Sequence, residues 1–493
     1  MGSYAASIDI GTSSIKAGVF DDRGGLRGFS RRSYRREFQG SGTVLFDARN
    51  LTRQSLMCLR EAIEKSGVRP VEIGGCSLSS KRASVIAVDS QGKAMGKGIS
   101  WQDMSGHEDV AGLRERIDDK AYYGITGLPL NAVFTIGKIL SLKRNDPTTY
   151  RAASQFIMPG DFILRALGAR DFLTDSSQAS LTGLLDISSL AWSEVILSLA
   201  GIGKEKLPPI VPAGSKAGVV SLSASPLCGL LQGTPLFAGG GDQQCAALGA
   251  GVIDPGIAGL SMGTAAVTIT PTLAPLLDPL RRLACTAHVI PGRWCIEGLQ
   301  NAAGGSISWF SSLISGKRPS RHLIESMAAV PPGAGGLLFL PYLDGSAAPH
   351  WLADAHGVFT GLSLSHTRGS LLRAVIEGVA FETREILEAL QSLALPVEEI
   401  RVTGGVGSHY ELWGQIMADI GTISLKFTEN PHASLYGAAL LAFSGMGVFP
   451  VLAEKALPVI RCTRTCAPQK DTFTLYQKLF EKFKMTRERL FSP

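Results

Sequence analysis

The stretch Ser7-Ile-Asp-Ile-Gly-Thr-Ser-Ser-Ile-Lys16-Ala-Gly-Val-Phe20 is echoed half a chain later by Leu260-Ser-Met-Gly-Thr-Ala-Ala-Val-Thr268-Ile-Thr270. Each reads as an apolar strand, a Gly-Thr turn followed by two small residues, and a second strand of alternating pattern. Glycine lets a backbone come close to a phosphate, and the N–H groups of such a turn can face an anion. One such hairpin per half predicts a duplicated α/β architecture, two lobes around a cleft, with a nucleotide phosphate chain gripped from both sides. Gly11, Thr12 and Ser13 form the first turn, Gly263 and Thr264 the second. Lys16 reads equally well as an outward strand lysine and as a point charge for a phosphate.

Working outward, 493 residues are too many for one core. The seam is placed near residue 245, giving an N-terminal lobe of 1–245 and a C-terminal lobe of 246–493. A hydrophobic share of 45% with 18% charged residues is ordinary for a globular protein. No uncharged apolar run reaches the roughly 18 residues that span a bilayer, and no basic-then-apolar leader opens the chain, so no membrane partner is expected. The net charge of +6 is spread thinly. Its densest run, Arg31-Arg32-Ser-Tyr-Arg35-Arg36, has no helical stripe, which speaks against nucleic acid. Eight cysteines without CxxC spacing read as reduced thiols, hence a cytoplasmic protein.

Strands and helices alternate through both halves. Leu51–Lys65 reads as an amphipathic helix, Ile73–Ser79 and Ser84–Val88 as strands around a polar bend at Ser80-Lys81-Arg82, and Asp103 to Ala169 as mainly helical. A strand at Pro235–Ala238 runs into Gly239-Gly-Gly241-Asp242. In the second half, Asn301-Ala-Ala-Gly-Gly305 leads into a helix, Leu371–Leu393 is a long helix, and strand Ile400–Val402 passes through Thr403-Gly-Gly-Val-Gly407 into helix Tyr410–Ile420. Such strand–glycine–helix transitions bind nucleotides in α/β folds. Thr472–Leu490 reads as a surface helix charged on one face.

Two carboxylates stand out. Asp9 ends a buried strand beside Gly11-Thr12, where it can hold Mg²⁺ through water while the metal neutralises phosphate charge. Asp242 follows three glycines. It reads as a helix N-cap and also as a carboxylate projected by a bare backbone toward a substrate hydroxyl. A helix N-terminus favours its ionised form. The resulting weak base suffices for phosphoryl transfer, whose loose transition state asks mainly for orientation of the alcohol. Arg82, on the bend after a strand, together with Trp101-Gln102-Asp103, suits a polyol: guanidinium and carboxylate for hydroxyls, an aromatic wall for the carbon face.

These segments together resemble the FGGY carbohydrate kinases over essentially the full length. "DIGTSSIKAGVFD" is similar to the family's first phosphate motif, "GGGDQQCAALGAG" to the motif bearing its catalytic aspartate, "SMGTAAVTIT" to the second phosphate motif, and "TGGVGSHYELWGQIMADIG" with "SLYGAALLAFSGMG" to the adenosine motif and closing helix. "HGVFTGLSLSHTRGSLLRAVIEGVAFE" is similar to a family signature reaching past Glu377. The resemblance implies the duplicated actin-like ATPase (ribonuclease H-like) fold and MgATP-dependent phosphorylation of a small sugar or polyol. It implies Asp242 as the catalytic residue, with Asp9 and Asp242 framing the metal. Gly304, Gly305, Gly405 and Val406 would line the ATP side. Lys81, Arg82, Trp101, Asp103, Asp242 and Gln243 would face the acceptor. Departures concern that acceptor. Lys81-Arg82-Ala83-Ser84 replaces the Gln-Met-His-Gly run usual in xylulose kinases. Arg82 fits the Arg-Glu of glycerol kinases, but Ala83 lacks the carboxylate. A pentulose such as xylulose is favoured, with glycerol, gluconate and autoinducer-type polyols as alternatives within the family and a non-metabolic actin-like ATPase outside it. The oligomeric state, a homodimer included, stays open.

Overall fold

The computed structural model describes residues 4–39, 42–316, 321–404, 411–449 and 460–491. The chain forms two compact units. The first gathers Met1–Ile253, Leu273–Cys295 and His432–Val459; the second gathers Asp254–Thr272, Ile296–Pro431 and Ile460–Pro493.

The first unit is built on a sheet in the order Lys216–Val219, Pro235–Phe237, Ile73–Ser80, Tyr4–Ile10, Ser14–Asp21, Leu26–Ser33, with Gly240–Gly241 also pairing along Ile73–Ser80. Strand Tyr4–Ile10 is covered on both faces, which is why its sequence is almost uniformly apolar or small. Its even residues Ala6, Ile8 and Ile10 pack with Leu51, Leu59 and Ile63 of helix Ala48–Ser66. Ala5, on the other face, packs with Leu435, Ala439 and Phe443 of helix Ala433–Gly445. The period of two therefore sends Asp9 to the face of that second helix. Register sets the rest. Asp9 lies opposite Lys16 in the antiparallel hairpin, opposite Ser79 in the parallel pair, and Ser79 lies opposite Gly240. One row across the sheet thus carries Lys16, Asp9, Ser79 and the glycine run before Asp242.

The second unit repeats this plan. Hairpin Ile257–Met262/Ala266–Thr272 is antiparallel, and its first strand pairs in parallel with Glu399–Thr403, which pairs in parallel with Ser424–Thr428. Helix Arg368–Ser392 lies in the core of this unit. The final helix, Lys470–Phe491, is not the surface helix its charges predicted. It buries Tyr476, Leu479, Phe480 and Phe483 in that core, and the buried ion pair of Arg373 Nε with Glu377 Oε1 (2.8 Å) receives the Tyr476 hydroxyl at 2.9 Å.

Candidate active site

Asp9 is buried, and both of its carboxylate oxygens are engaged. Ser79 Oγ donates to Oδ1 at 3.0 Å; Ser434 Oγ at 2.9 Å and Lys16 Nζ at 3.2 Å donate to Oδ2. Lys16 is thus paired across the hairpin rather than pointing freely outward. Ser434 sits in the first turn of helix Ala433–Gly445, whose positive end adds to the stabilisation of this carboxylate.

Asp242 is the first residue of helix Asp242–Gly249; the cap is Gly241, so the expected N-cap role of Asp242 is corrected by one position. Its Oδ1 accepts the Gln243 N–H at 2.9 Å and stands 3.8 Å from Arg82 Nε. Arg82 is not the exposed arginine common at strand ends: its side chain is 4% accessible, against 23% for Asp242. A buried guanidinium beside a part-exposed carboxylate fixes which way that carboxylate faces. The glycine run makes that possible, though not by leaving room for a substrate as its sequence suggested. A Cβ on Gly241 would stand 2.5 Å from Arg82 Cδ, and one on Gly239 would stand 2.1 Å from the Leu78 carbonyl oxygen. The space a side chain would fill is occupied by Arg82 and the neighbouring strand. Ala83, next on the bend, is held at φ 54°, a left-handed conformation that costs an alanine roughly 1–2 kcal/mol and turns the chain sharply after Arg82.

Trp101 lies between the two motifs. Its backbone N–H reaches Ser84 Oγ at 3.0 Å and its indole N–H reaches Thr12 Oγ1 at 2.9 Å. The Lys81–Ser84 bend, Trp101 and the Gly11–Ser14 turn therefore form one hydrogen-bonded unit. The structure keeps Asp103 out of it. That residue is wholly buried, and its oxygens are taken by the Val44 N–H (2.8 Å) and by the Ser105 N–H and Oγ (3.0 and 2.5 Å). It fixes a turn and does not offer a carboxylate to a sugar. Lys81 is also corrected. It is 1% exposed and directed at Tyr34 and Phe46. Gln243 stays half-buried, its side-chain Oε1 enclosed and without a hydrogen-bond partner.

Sequence reading missed the short helix Ser176–Ser180. Gln178 Nε2 donates to the carbonyls of Ser80 (3.2 Å) and Gly240 (3.3 Å), tying the Lys81–Arg82 bend to the Asp242 loop. Ser177 Oγ accepts the Gly241 N–H at 2.8 Å and donates to Asp175 at 2.6 Å. The run Thr174-Asp-Ser-Ser-Gln178 has the composition of a helix cap, and that was its only signal. Burial pushes the Asp175 carboxyl up to about 6. Burial raises the Cys245 thiol well above its ordinary value, and the charges of Asp175, Asp9 and Asp242 raise it further. Replacing Gln178 with alanine is expected to cost about 1–3 kcal/mol through buried carbonyls losing a donor. It should lower kcat while KM for the nucleotide is retained; a denaturant midpoint and a kinetic series check both.

In the second unit, Gly263 and Thr264 form an exposed turn closed by the Gly263 N–H on the Ala265 carbonyl at 2.9 Å. The first turn closes likewise, Gly11 N–H to Ser14 O at 3.1 Å. Helix Gly304–Ser315 starts against the second turn: Gly304 and Gly305 donate their N–H groups to the carbonyls of Gly263 and Thr264. Ser13 is exposed in the first turn. Gly405 and Val406 lie outside the described residues.

Residues 4–249 match the N-terminal domain of the FGGY family of carbohydrate kinases, and residues 258–446 match its C-terminal domain. The chain belongs to the FGGY carbohydrate kinases. It is therefore a phosphotransferase with an alcohol group as acceptor. This FGGY kinase is 28% identical over 482 residues to the xylulose kinase of Bacillus subtilis (strain 168), covering 98% of this chain and 96% of the relative. It is 29% identical over 504 residues to the autoinducer-2 kinase of Salmonella choleraesuis (strain SC-B67), covering 98% and 93%. A ligand-bound xylulose kinase from Lactobacillus acidophilus shares its fold, with a TM-score of 0.91 at 24% identity over 99% and 98% of the two chains. Relatives of near-equal similarity thus carry different acceptors in their names. Among the described residues no helix is long and apolar enough to cross a membrane.

Proposed function

We propose that this kinase transfers the γ-phosphoryl group of MgATP to a hydroxyl of an open-chain ketose or polyol, a pentulose such as xylulose before the others. The observation that carries the reading is the Arg82–Asp242 pair at the start of a helix, beside the Trp101 segment and one row from Asp9. Asp242 would accept the hydroxyl proton late, as the oxygen bonds to phosphorus and the bridging bond to ADP breaks. Arg82 would keep that acid aimed, and Trp101 would face the carbon side of the acceptor while holding Thr12.

The donor set suits Mg²⁺. Among the described residues no group of three or more His, Cys, Asp or Glu forms a closed cage, and Mg²⁺ is typically held by one or two carboxylates plus phosphates and water. Asp9, its oxygens already accepting from Ser79, Ser434 and Lys16, would hold it through water, with Asp242. Once bound, it would neutralise charge on the phosphates. Thr12, Ser13 and Lys16 would meet the phosphates; Gly263 and Thr264 form the corresponding turn of the second unit, which Gly304 and Gly305 support. Eight free thiols, seven of them buried, fit a reducing compartment, and the cytoplasm is where this reading puts the reaction.

The test is ADP release with MgATP against xylulose, other pentuloses, glycerol, gluconate and an autoinducer-type polyol. Stimulation greatest with a pentulose is the expected result. Greatest turnover with another acceptor moves the substrate within the family. ADP release indifferent to every acceptor overturns the reading in favour of an ATPase.

A further inference from the structure

Lys81 is a lysine with no solvent, directly before the arginine that faces Asp242. Its ammonium donates to the Tyr34 hydroxyl oxygen at 2.9 Å and stands 3.9 Å above the Phe46 ring centre. Its backbone N–H holds the Ile10 carbonyl at 2.8 Å. Tyr34, itself buried, donates in turn to the carbonyls of Gly11 (2.8 Å) and Thr12 (2.7 Å). Tyr34 has a single hydroxyl proton. With the lysine occupying its oxygen as a donor, that proton is left to the two carbonyls.

The consequence follows from peptide geometry. In a trans peptide the C=O and the next residue's N–H point in opposite directions. Drawing the carbonyls of Gly11 and Thr12 toward Tyr34 turns the N–H groups of Thr12 and Ser13 the other way, making the concave set of donors that binds anions. Enclosing an ammonium is costly unless it is well partnered. An apolar side chain would fill the same space without that cost but would leave the buried Tyr34 oxygen without the donor that anchors it beside the two carbonyls.

We propose that Lys81 is a positioning residue for the nucleotide phosphates, acting through Tyr34 to hold the Gly11–Thr12 turn with its N–H groups outward. The assignment rests on the kinase reading above and moves Lys81 from the acceptor side of the reaction to the nucleotide side. Burial brings the Lys81 amine down to about 7, with Arg36 lowering it further and Asp242 opposing. Arg82 is its chain neighbour, and among the described residues Tyr34 and the Phe46 ring also face it. Burial raises Tyr34 far above its usual range, so it remains a donor throughout. The buttress is therefore strongest below neutral pH, where the amine carries its charge.

The test uses the full chain with Lys81→Met, Tyr34→Phe, the double variant and Lys81→Arg. MgATP affinity is measured by calorimetry without acceptor, and KM for ATP and for the acceptor in the coupled assay. Each single variant should weaken MgATP binding about tenfold, the size of one hydrogen bond. The acceptor KM should not move, and the double variant should match the singles, because both remove one chain of contacts. ATP affinity of the wild type should fall as pH rises through about 7, and Lys81→Arg should restore affinity and flatten that loss. Additive losses, or a change in acceptor KM with nucleotide affinity intact, overturn the assignment. Should Lys81→Met fail to fold, Tyr34→Phe with unchanged ATP affinity overturns it alone. A wild-type protein that binds no nucleotide overturns the kinase reading as well, whereas a wild type that phosphorylates an acceptor while the variants equal it overturns only this step.

Discussion

Asp242→Asn is expected to lower kcat by about 10²–10⁴-fold, the range for loss of one positioned acid–base group. MgATP affinity should change far less. Asparagine keeps the shape and the acceptor oxygen that the Gln243 N–H uses, so the helix start should survive. What disappears is the negative charge that Arg82 faces at 3.8 Å and the ability to take the hydroxyl proton. The buried guanidinium then faces one negative charge fewer, with Asp175 still in reach, which adds a stability loss of a few kcal/mol at most, since the carboxylate is itself part-exposed. Single-turnover measurement with saturating ATP isolates the chemical step. A variant with near-wild-type kcat would remove Asp242 from the reaction.

Gly437→Ala is expected to damage both stability and turnover, although alanine is the better helix former by about 1 kcal/mol. Helix Ala433–Gly445 crosses helix Asp242–Gly249 with almost no gap. A Cβ on Gly437 would lie 1.9 Å from the Cys245 carbonyl oxygen, and one on Gly249 would lie 2.0 Å from that of Ala433. Both obstacles are backbone and cannot swing aside. Overpacking of this kind costs about 1–3 kcal/mol or more, so the steric term wins over propensity. The helices must then separate. One begins with Asp242, and the other brings Ser434 to Asp9. Thermal unfolding should shift downward and kcat should fall with it. A variant with raised thermal stability would show that the crossing is looser than the geometry states.

The sequence carried the hairpins, the paired Gly-Thr turns and the strand before Asp242, because period-two burial and glycine turns are local signals. It singled out Asp9, Asp242, Arg82 and Trp101, which the structure brings into one unit. It did not reveal what surrounds them. Ser79 and Ser434 reach Asp9 only through sheet register and a helix from the far end of the chain. Gln178 acts through its amide on two backbone carbonyls, a role that any glutamine in a helix start can hide. Lys81 and Asp103 looked like substrate groups because charge next to an aromatic suits a sugar. Only the fold shows that Asp103 spends its oxygens on Val44 and Ser105 and that Lys81 turns inward to Tyr34. The charged stripe on Lys470–Phe491 hid its opposite, aromatic face, which closes the second unit's core.

The bond from Ser434 to Asp9 joins residues 425 positions apart. A ribosome adding about 5–20 residues per second needs on the order of 20–90 s to cover that interval. During this time Ala5 and Phe20 lack the helix that finally shields them. Nascent chains stalled before that helix should therefore be the species that chaperones bind and proteases clear, so that truncations removing it leave little material in the cell even though both carboxylates have already been translated.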